Sequence, residues 1–346
     1  MQAVVLVGGR GTRLRPLTNT RPKPMLPVVN RPMVEHIVGH LARHGVTDVV
    51  LSLGYRPDAF AEAYPDGRCA GVDLHYAVEP EPLDTAGAIR FAALDAGIDH
   101  ERFVVVNGDI LTDLDVGRLV AFHEAHAGEA TITLHPVADP SRYGVVPTDD
   151  AGRVAAFVEK PAPGEAPTNH INAGTYVLDP AALRRIPGGR RVSIEREVFP
   201  AMVADNALYA MEGETYWIDT GTPAEYIQAH IDLMSGCRGV PVPGLHPEAK
   251  VDPAAHVDWS ALGPGAVVEA GARVTGSVLL PGARVGAGAV VDRSVLGQDA
   301  EVAPGAQVTD HCVIGDGGIV ERDARLDGAR VEGEPDESGA PAGAAS

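Results

Sequence analysis

The residues most suggestive of chemistry lie in the first 34 positions, which carry six positive side chains and no acid. An apolar stretch, Ala3–Val7, runs into the glycine-rich turn GGRGTR at residues 8–13, and Arg15, Arg21 and Lys23 follow. A strand that feeds such a turn presents backbone N–H groups that suit phosphate. The cations would neutralise phosphate charge, which the rest of a chain of formal net charge -19 would repel. This pattern predicts polyphosphate binding.

Lysine is rare in this chain. Only three of the 28 basic residues are lysines, namely Lys23, Lys160 and Lys250. The first two are each followed by proline, in Pro22-Lys23-Pro24 and Glu159-Lys160-Pro161. Lysine is a compact point charge, whereas arginine is a wide planar fork. We therefore expect the smaller cation to be needed at these two positions, the alternative being chance placement on a solvated surface.

Composition limits the classes of protein that need considering. The 346 residues are 45% hydrophobic and 22% charged, which is ordinary for a soluble protein with room for two domains. The acidic balance argues against a nucleic-acid surface. Three widely spaced cysteines indicate neither a disulfide framework nor a zinc site. No signal-peptide layout and no apolar run of roughly 18 residues occurs, so we expect a cytoplasmic protein without a membrane partner.

The first 236 residues alternate between strand-like and helix-like patterns, which predicts an α/β fold with a mostly parallel sheet. The expected strands are Ala3–Val7, Asp48–Leu53, Leu74–Tyr76, Phe103–Val106, Ala130–Val137 and Thr175–Leu178, and the clearest helices are Met33–His44 and Ala86–Ala96. Ligands of such sheets bind beyond the carboxyl ends of the strands. The GGRGTR turn and the Asn107-Gly108-Asp109 turn both follow a strand in this way.

The C-terminal part has a different texture, with aliphatic residues that recur every 17 positions. One series is Val251, Val268, Val285, Val302 and Ile319; a second is Val257, Val274, Val291 and Val308; a third is Leu262, Leu279, Leu296 and Val313. One aliphatic about every six residues, three per turn, predicts a parallel β-helix. We place the β-helix at 249–331, behind a Pro- and Gly-rich linker at 237–248, and expect 332–346 to be disordered.

The N-terminal signature resembles that of the sugar-1-phosphate nucleotidyltransferases, also called NDP-sugar pyrophosphorylases. It runs from Gly8 through Leu17-Thr18 to the segment RPKPMLP at residues 21–27. The chain is most similar to the mannose-1-phosphate guanylyltransferase branch in three further segments: Asp84-Thr85-Ala86-Gly87, SIEREVFP at 193–200 and WIDTGTP at 217–223. The resemblance implies a Rossmann-like nucleotidyltransferase domain followed by a left-handed parallel β-helix.

The implied reaction joins an NTP to a sugar 1-phosphate and releases pyrophosphate. This chemistry depends on positioning and charge neutralisation. The resemblance assigns catalysis to Arg13, Lys23 and Asp109, and the Mg²⁺ cofactor to Asp109 and Asp219. The nucleotide-binding set is Leu6, Gly8, Gly9, Gly11, Thr12, Arg13, Glu79, Thr85, Ala86, Gly87 and Asp109. The sugar-phosphate set is Gly144, Glu159, Lys160, Asn172 and Asp219.

The substrate pair that we expect is GTP with mannose 1-phosphate, giving GDP-mannose. Asp84 stands where glycine is common in the guanylyltransferases, so a UTP- or dTTP-dependent glucose-1-phosphate or other sugar-1-phosphate enzyme remains an alternative. A non-catalytic NDP-sugar-binding regulatory paralogue is a second alternative, and a bifunctional acetyltransferase a third. The partners we expect are these small molecules and further copies of the chain in a homo-oligomer, which the β-helix could mediate.

Overall fold

The computed structural model describes residues 1–213 and 215–333, which divide into two units. The first unit comprises residues 1–9 and 34–217, and the second comprises residues 10–33 and the chain from Ile218 onward. The segment that carries most of the N-terminal signature therefore belongs to the same unit as the C-terminal repeats.

The first unit is organised by a mixed sheet. Its strands are β1 (Gln2–Leu6), β4 (Asp48–Leu53), β5 (Arg68–Cys69), β6 (Val72–Val78), β7 (Phe103–Asn107), β9 (Ala130–Pro136), β10 (Gly144–Val145), β11 (Val158–Glu159), β12 (His170–Leu178) and β13 (Leu208–Glu212). The central order β7-β1-β4-β6 is parallel throughout, whereas β12 runs antiparallel to β7 and β9. The expected α/β class is confirmed, and the sheet is mixed, with parallel strands at its centre.

The remaining short strands and the helices complete the elements before the repeats. The strands are β2 (Pro27–Val28), β3 (Arg31–Pro32), β8 (Ile110–Thr112) and β14 (Trp217–Asp219), and the helices are α1 (Met33–Arg43), α2 (Asp58–Ala63), α3 (Asp84–Asp95), α4 (Val116–Ala125), α5 (Pro180–Arg184), α6 (Phe199–Ala204) and α7 (Pro223–Ser235). The predicted bounds of the first and third helices are correct to within two residues.

Burial explains why these segments form helices and strands. In α1 the buried residues Val34, Val38 and Leu41 recur at helical spacing, which gives the helix one apolar face. In the parallel strands, Val4 of β1 and Val105 of β7 are completely buried within one hydrophobic core. Continuous aliphatic runs of this kind are typical of parallel sheets covered on both faces.

The repeats of the second unit form three parallel five-stranded sheets, an architecture consistent with the expected left-handed β-helix. The sheets are β15 (Lys250–Val251), β18 (Val267–Val268), β21 (Arg284–Val285), β24 (Glu301–Val302) and β27 (Ile319–Val320); β16 (His256–Asp258), β19 (Arg273–Thr275), β22 (Val290–Asp292), β25 (Gln307–Thr309) and β28 (Arg325–Asp327); and β17 (Ala261–Leu262), β20 (Val278–Leu279), β23 (Val295–Leu296), β26 (Val313–Ile314) and β29 (Arg330–Val331). Their aliphatic side chains fill one common interior.

The 17-residue register that we predicted is wrong in the last coil. Leu296 pairs with Ile314 and Val302 with Val320, so Val313 and Ile319 do not continue the interior columns. Ile319 is 60% exposed, whereas Val320 is 2% exposed. The physical reason is one extra residue at the corner before β26, where Asp310 and His311 both have positive φ.

Three further sequence-based expectations concern the C-terminal tail, membrane-spanning helices and the domain bounds. The predicted disordered tail, 332–346, lies outside the described residues from position 334 onward. Within residues 1–213 and 215–333, no helix has the length and apolar character needed to cross a membrane. The domain bounds 1–236, 237–248 and 249–331 stay predictions.

Candidate functional site

Two cations of the signature meet one carboxylate in the second unit. Lys23 Nζ lies 3.6 Å from Asp219 Oδ1, and Arg13 Nη2 lies 3.8 Å from Asp219 Oδ2. The lysine side chain is 7% exposed and the arginine side chain is 55% exposed. We call Arg13, Lys23 and Asp219 the phosphate cluster, since it offers one fixed and one accessible cation to an anionic ligand.

Local backbone chemistry places Lys23. Gly11 has φ of 60°, and a Cβ there would lie 2.9 Å from Lys23 Cβ and 3.0 Å from Thr18 Cγ2. The Thr18 hydroxyl donates to the Gly11 carbonyl at 3.0 Å. Pro22 and Pro24 flank the lysine at the start of a 3₁₀ turn, where a fixed φ is favourable. Only glycine combines the left-handed conformation with so close an approach.

A second glycine makes room for Arg13. A Cβ on Gly221 would lie 2.5 Å from Arg13 Nη2 and 2.8 Å from its Cζ. The neighbouring helix α7 starts with a capping box, in which Thr222 and Glu225 satisfy each other's backbone N–H groups. The WIDTGTP segment thus supplies the carboxylate, the space for the guanidinium and the cap of the next helix.

The first two glycines of the signature belong to the first unit and lie near Glu79. A Cβ on Gly8 would approach Gly54 N to 3.1 Å and Glu79 Oε1 to 3.3 Å, whereas a Cβ on Gly9 would meet nothing within 4 Å. Glu79 accepts hydrogen bonds from the Leu83 backbone N–H at 2.9 Å and the Ser52 hydroxyl at 3.3 Å. Burial raises the pKa of the Glu79 carboxyl. Leu6 ends β1 and pairs with Ser52 and Asn107.

The Asp84–Gly87 segment begins helix α3 and is tied to a distant part of the first unit. The Thr85 hydroxyl donates to Glu195 Oε2 at 2.7 Å and accepts from the Ile194 N–H at 2.8 Å. The backbone N–H groups of Ala86 and Gly87 both donate to the Val192 carbonyl, at 2.9 and 3.2 Å. The Thr85 hydroxyl and the backbone N–H groups of Ala86 and Gly87 are therefore engaged by the 192–195 segment.

The backbone conformation at Asp84 accounts for an aspartate where glycine is common in the guanylyltransferases. Its φ is 61°, in the left-handed region that glycine adopts most readily. Among residues with a Cβ, aspartate and asparagine tolerate this region best. The position therefore requires a left-handed backbone, and aspartate fulfils that requirement at a modest cost.

The Glu159-Lys160 pair lies beside Gly144. Gly144 and Glu159 are register partners in β10 and β11, and a Cβ on Gly144 would lie 3.1 Å from Glu159 Oε2. Lys160 has φ of 50°, and its Nζ lies 3.4 Å from Glu159 Oε1. Glu159 is half-buried and Lys160 is 59% exposed, so the ammonium is open to a further anion.

Asn172 supports an irregularity in β12. The pairing of β12 with β9 shifts between Asn172 and Tyr176. The Asn172 amide spans this shift, since its Oδ1 accepts from the Gly174 N–H at 3.1 Å and its Nδ2 donates to the Tyr176 hydroxyl at 2.9 Å. A Cβ on Gly174 would lie 2.7 Å from Asn107 Nδ2, so the end of β7 packs closely against the middle of β12.

Tyr176 is a buried polar residue that contacts Asn172, and it was not among the site residues that the sequence predicted. Burial and the nearby Glu195 carboxylate raise the pKa of the Tyr176 phenol, so the phenol stays neutral, and it also interacts with Asn107. The sequence signal that could have pointed to this residue is the SIEREVFP segment, because it contains the Glu195 carboxylate that lies near Tyr176. Trp217 was also overlooked; its Nε1 donates to the Ala173 carbonyl at 2.9 Å.

The remaining predicted residues are divided between the two units. Asp109 follows β7 in the first unit, where Gly108 lies so close to β1 that its Cβ would meet the Leu6 carbonyl at 2.5 Å. Asp219 belongs to the second unit, and the pairing of the two carboxylates on one metal ion stays a prediction. Thr12 is exposed and starts a 3₁₀ turn for which Gly11 is the N-cap. Within the described residues, no group of three or more His, Cys, Asp or Glu side chains could hold a metal ion.

Two family models match the chain. The model described as "Nucleotidyl transferase" matches residues 2–236. The model described as "GMPPB C-terminal domain" matches residues 241–335. The two matches follow one another along the chain and leave few residues between them.

Two relatives and one solved structure show substantial identity. The chain is 41% identical over 266 residues to the "Mannose-1-phosphate guanylyltransferase" of Mycobacterium tuberculosis, a match that covers 74% of this chain and 72% of the relative. It is 44% identical over 242 residues to the "Mannose-1-phosphate guanyltransferase" of Schizosaccharomyces pombe, covering 69% and 66%. A solved structure of HddC from Yersinia pseudotuberculosis complexed with GMP-PN is 30% identical, with a TM-score of 0.57, and covers 66% of this chain and 97% of that one.

Proposed function

Because the chain belongs to the nucleotidyl transferase family, we propose that it transfers a guanylyl group from GTP to mannose 1-phosphate, giving GDP-mannose and pyrophosphate. The observation that carries this proposal is the phosphate cluster. Lys23 and Arg13 approach opposite oxygens of Asp219, at 3.6 and 3.8 Å, inside a loop that glycine and proline hold in shape. The proposed pair, GTP with mannose 1-phosphate, is taken from the names of the relatives from Mycobacterium tuberculosis and Schizosaccharomyces pombe.

The reaction is an in-line displacement at the α-phosphorus of the NTP. A phosphate oxygen of the sugar 1-phosphate forms the new bond, the bond between the α-phosphorus and the bridging oxygen breaks, and pyrophosphate leaves with the electron pair. Such transfers need positioning and charge stabilisation rather than covalent help. Lys23 would screen the attacking and attacked phosphates from each other, and Arg13 would stabilise the charge that develops on pyrophosphate.

A divalent cation, which we propose to be Mg²⁺, fits the residues present. Asp219 presents hard carboxylate oxygens, its side chain is 15% exposed, and the adjacent cations attract phosphate. One or two carboxylates together with substrate phosphates are the donor set that Mg²⁺ prefers. Asp109 would supply the second carboxylate. When bound, the ion would neutralise phosphate charge; the protein's own cations would remain responsible for orienting the phosphates.

The sugar phosphate would be recognised by residues of the first unit. Glu159 is half-buried beside Gly144 and would accept hydrogen bonds from sugar hydroxyls. The exposed Lys160 ammonium would attract the phosphate. Asn172 has its amide committed to Gly174 and Tyr176, so its contribution would be to hold the backbone of β12 in position.

Glu79 would give the preference for guanine. The Watson–Crick edge of guanine carries two adjacent N–H donors, and an ionised carboxylate only accepts hydrogen bonds, at roughly four lone-pair sites. Glu79 already accepts from Leu83 and Ser52, which leaves capacity for a base edge. Uracil and thymine present a single N–H donor there, so they would gain less from the same carboxylate.

The decisive experiment is a pyrophosphate-release panel with purified protein and Mg²⁺. GTP, UTP, dTTP, CTP and ATP are each combined with the 1-phosphates of mannose, glucose and N-acetylglucosamine. Highest kcat/KM for GTP with mannose 1-phosphate supports the proposal. Highest kcat/KM for UTP or dTTP with another sugar keeps the reaction and overturns the substrate pair. Tight NDP-sugar binding without turnover would instead indicate a regulatory protein.

Two further properties are part of the proposal. Within the described residues, Cys69, Cys237 and Cys312 form no disulfide, which is typical of a reducing compartment, so we place the protein in the cytoplasm. We also propose that it forms a homo-oligomer. Light scattering of the purified chain tests the second statement, and a monomeric mass would overturn it.

A further inference from the structure

One buried carboxylate of the β-helix holds the signature segment. Asp316 is 6% exposed and lies in the loop between β26 and β27. Its Oδ2 accepts hydrogen bonds from the Thr20 hydroxyl at 2.6 Å and from Arg21 Nη2 at 2.7 Å. Its Oδ1 accepts from the Gln298 backbone N–H at 2.8 Å, which fixes the carboxylate to the neighbouring coil.

Other contacts join the same parts of the second unit. Arg21 Nη2 also donates to Gln298 Oε1 at 2.8 Å, and Asn19 Nδ2 donates to Glu332 Oε2 at 3.0 Å. A Cβ on Gly315 would lie 3.0 Å from Pro16 Cγ, so the segment rests directly on the coil. Residues 16–21 are thus held by hydrogen bonds, charge and close packing.

Residues 16–21, which contact the β-helix, lie just before Pro22 and Lys23. Only Pro22 separates Arg21 from Lys23, and proline has a nearly fixed φ, so little freedom remains between them. Beyond the lysine the segment is held again, where the Val29 N–H donates to His230 Nδ1 of α7 at 3.1 Å. The ammonium of Lys23 is therefore positioned from both sides, and Asp316 supplies the charged contact on one of them.

We infer that Asp316 is a positioning residue, which acts on the reaction by fixing Lys23 for the phosphates. The inference rests on the proposed function for its kinetic consequence, but the structural consequence can be measured separately. A misplacement of about 1 Å in a reacting geometry can reduce a rate by roughly 10²-fold. The β-helix would then be needed for efficient catalysis within each chain, whatever its role in assembly.

The chain offers a control with the same types of partner in Asp292, whose side chain is 35% exposed against 7% for Asp316. This residue also accepts from a threonine and an arginine, since Thr275 Oγ1 lies at 2.8 Å and Arg293 Nε at 3.2 Å. All three of these residues belong to the β-helix, and none lies in the 10–33 segment. Asp292→Ala therefore removes a Thr–Asp–Arg group of the same composition without releasing the signature.

The experiment compares Asp316→Ala, Asp316→Asn and Asp292→Ala in the full-length chain. We expect Asp316→Ala to lower kcat about tenfold or more and to raise KM for mannose 1-phosphate at least threefold, because Lys23 would screen that phosphate from the α-phosphate of the NTP. Asp316→Asn keeps the size and one acceptor and should have an intermediate effect. Asp292→Ala should change both constants less than twofold. A loss of folded protein alone would lower the apparent kcat and leave KM unchanged.

Hydrogen exchange by mass spectrometry tests the same inference without turnover. Exchange within residues 10–33 should increase in Asp316→Ala but not in Asp292→Ala. Unchanged exchange and unchanged constants in Asp316→Ala would overturn the inference, as would equal losses in Asp292→Ala. If the wild type turned over no substrate pair, the proposed function would fail, and exchange alone would decide the inference. If Asp316→Ala does not fold, Thr20→Val, which removes one donor, takes its place.

Discussion

The signature segment and the start of α3 achieve their shapes by different means. Residues 11–24 combine local constraints, such as the Thr18–Gly11 hydrogen bond and the prolines beside Lys23, with the contacts that Asp316 of the β-helix makes to Thr20 and Arg21. The start of α3 is held by the 192–195 segment, through the Thr85–Glu195 and Ala86–Val192 hydrogen bonds. The signature carries Arg13 and Lys23, so a change in it should lower kcat. The start of α3 is predicted to contact the nucleotide, so a change there should mainly lower nucleotide affinity.

The largest effect is expected at Lys23. Lys23→Met removes the buried cation, and Lys23→Arg introduces a wider group where the residue is 6% exposed. We expect both variants to lower kcat by about 10²-fold or more, in line with the loss of a group that stabilises transition-state charge. Steady-state pyrophosphate release measures this, with Arg31→Ala from the same segment as the control. Near-normal kcat in Lys23→Arg would contradict a requirement for the compact cation.

The next effect concerns the space beside Arg13. Gly221→Ala would place a methyl group 2.5 Å from Arg13 Nη2, so the guanidinium must move. We expect kcat to fall about tenfold while the protein remains folded, because the arginine is displaced rather than removed. Gly39→Ala is the control, since its Cβ would meet only Ala70 Cβ, at 3.7 Å. Equal kinetic constants in both variants would remove Arg13 from the proposed mechanism.

A smaller effect is expected on the α3 side. Thr85→Val removes the hydroxyl that links Glu195 and the Ile194 N–H, which leaves both without that partner. We expect KM for GTP to rise a few-fold with little change in kcat, and thermal stability to fall. Thr85→Ser retains the hydroxyl and should behave like the wild type. A loss confined to kcat would contradict the contrast between the two regions.

The smallest effect is expected at Asp84. Asp84→Gly removes the strain of a left-handed backbone but adds flexibility to the unfolded chain, so the two contributions oppose each other. We expect the free energy of unfolding to change by less than about 1 kcal/mol, whereas Asp84→Ala should lose about 1 kcal/mol. Urea denaturation of the two variants and the wild type measures this. Strong destabilisation by glycine would show that the aspartate side chain itself is needed.

The sequence by itself determined the elements whose cause is local. Short apolar runs predicted the parallel strands, and helix-like patterns predicted α1 and α3, because burial selects a different pattern for each type of element. The 17-residue repeat predicted the β-helix for the same reason. The prediction that the first 34 residues bind phosphate also rests on local composition, namely a glycine-rich turn with clustered cations.

Only the tertiary structure decided which distant groups meet. The approach of Asp219 to Lys23, the support of Thr20 and Arg21 by Asp316, and the tie between Thr85 and Glu195 join residues far apart in the chain. Local patterns carry no information on such pairs, because the energy of each contact depends on the whole fold that brings it together. The register of the last coil depended similarly on a single inserted residue at a corner, which shifted Val320 into the interior and left Ile319 in solvent.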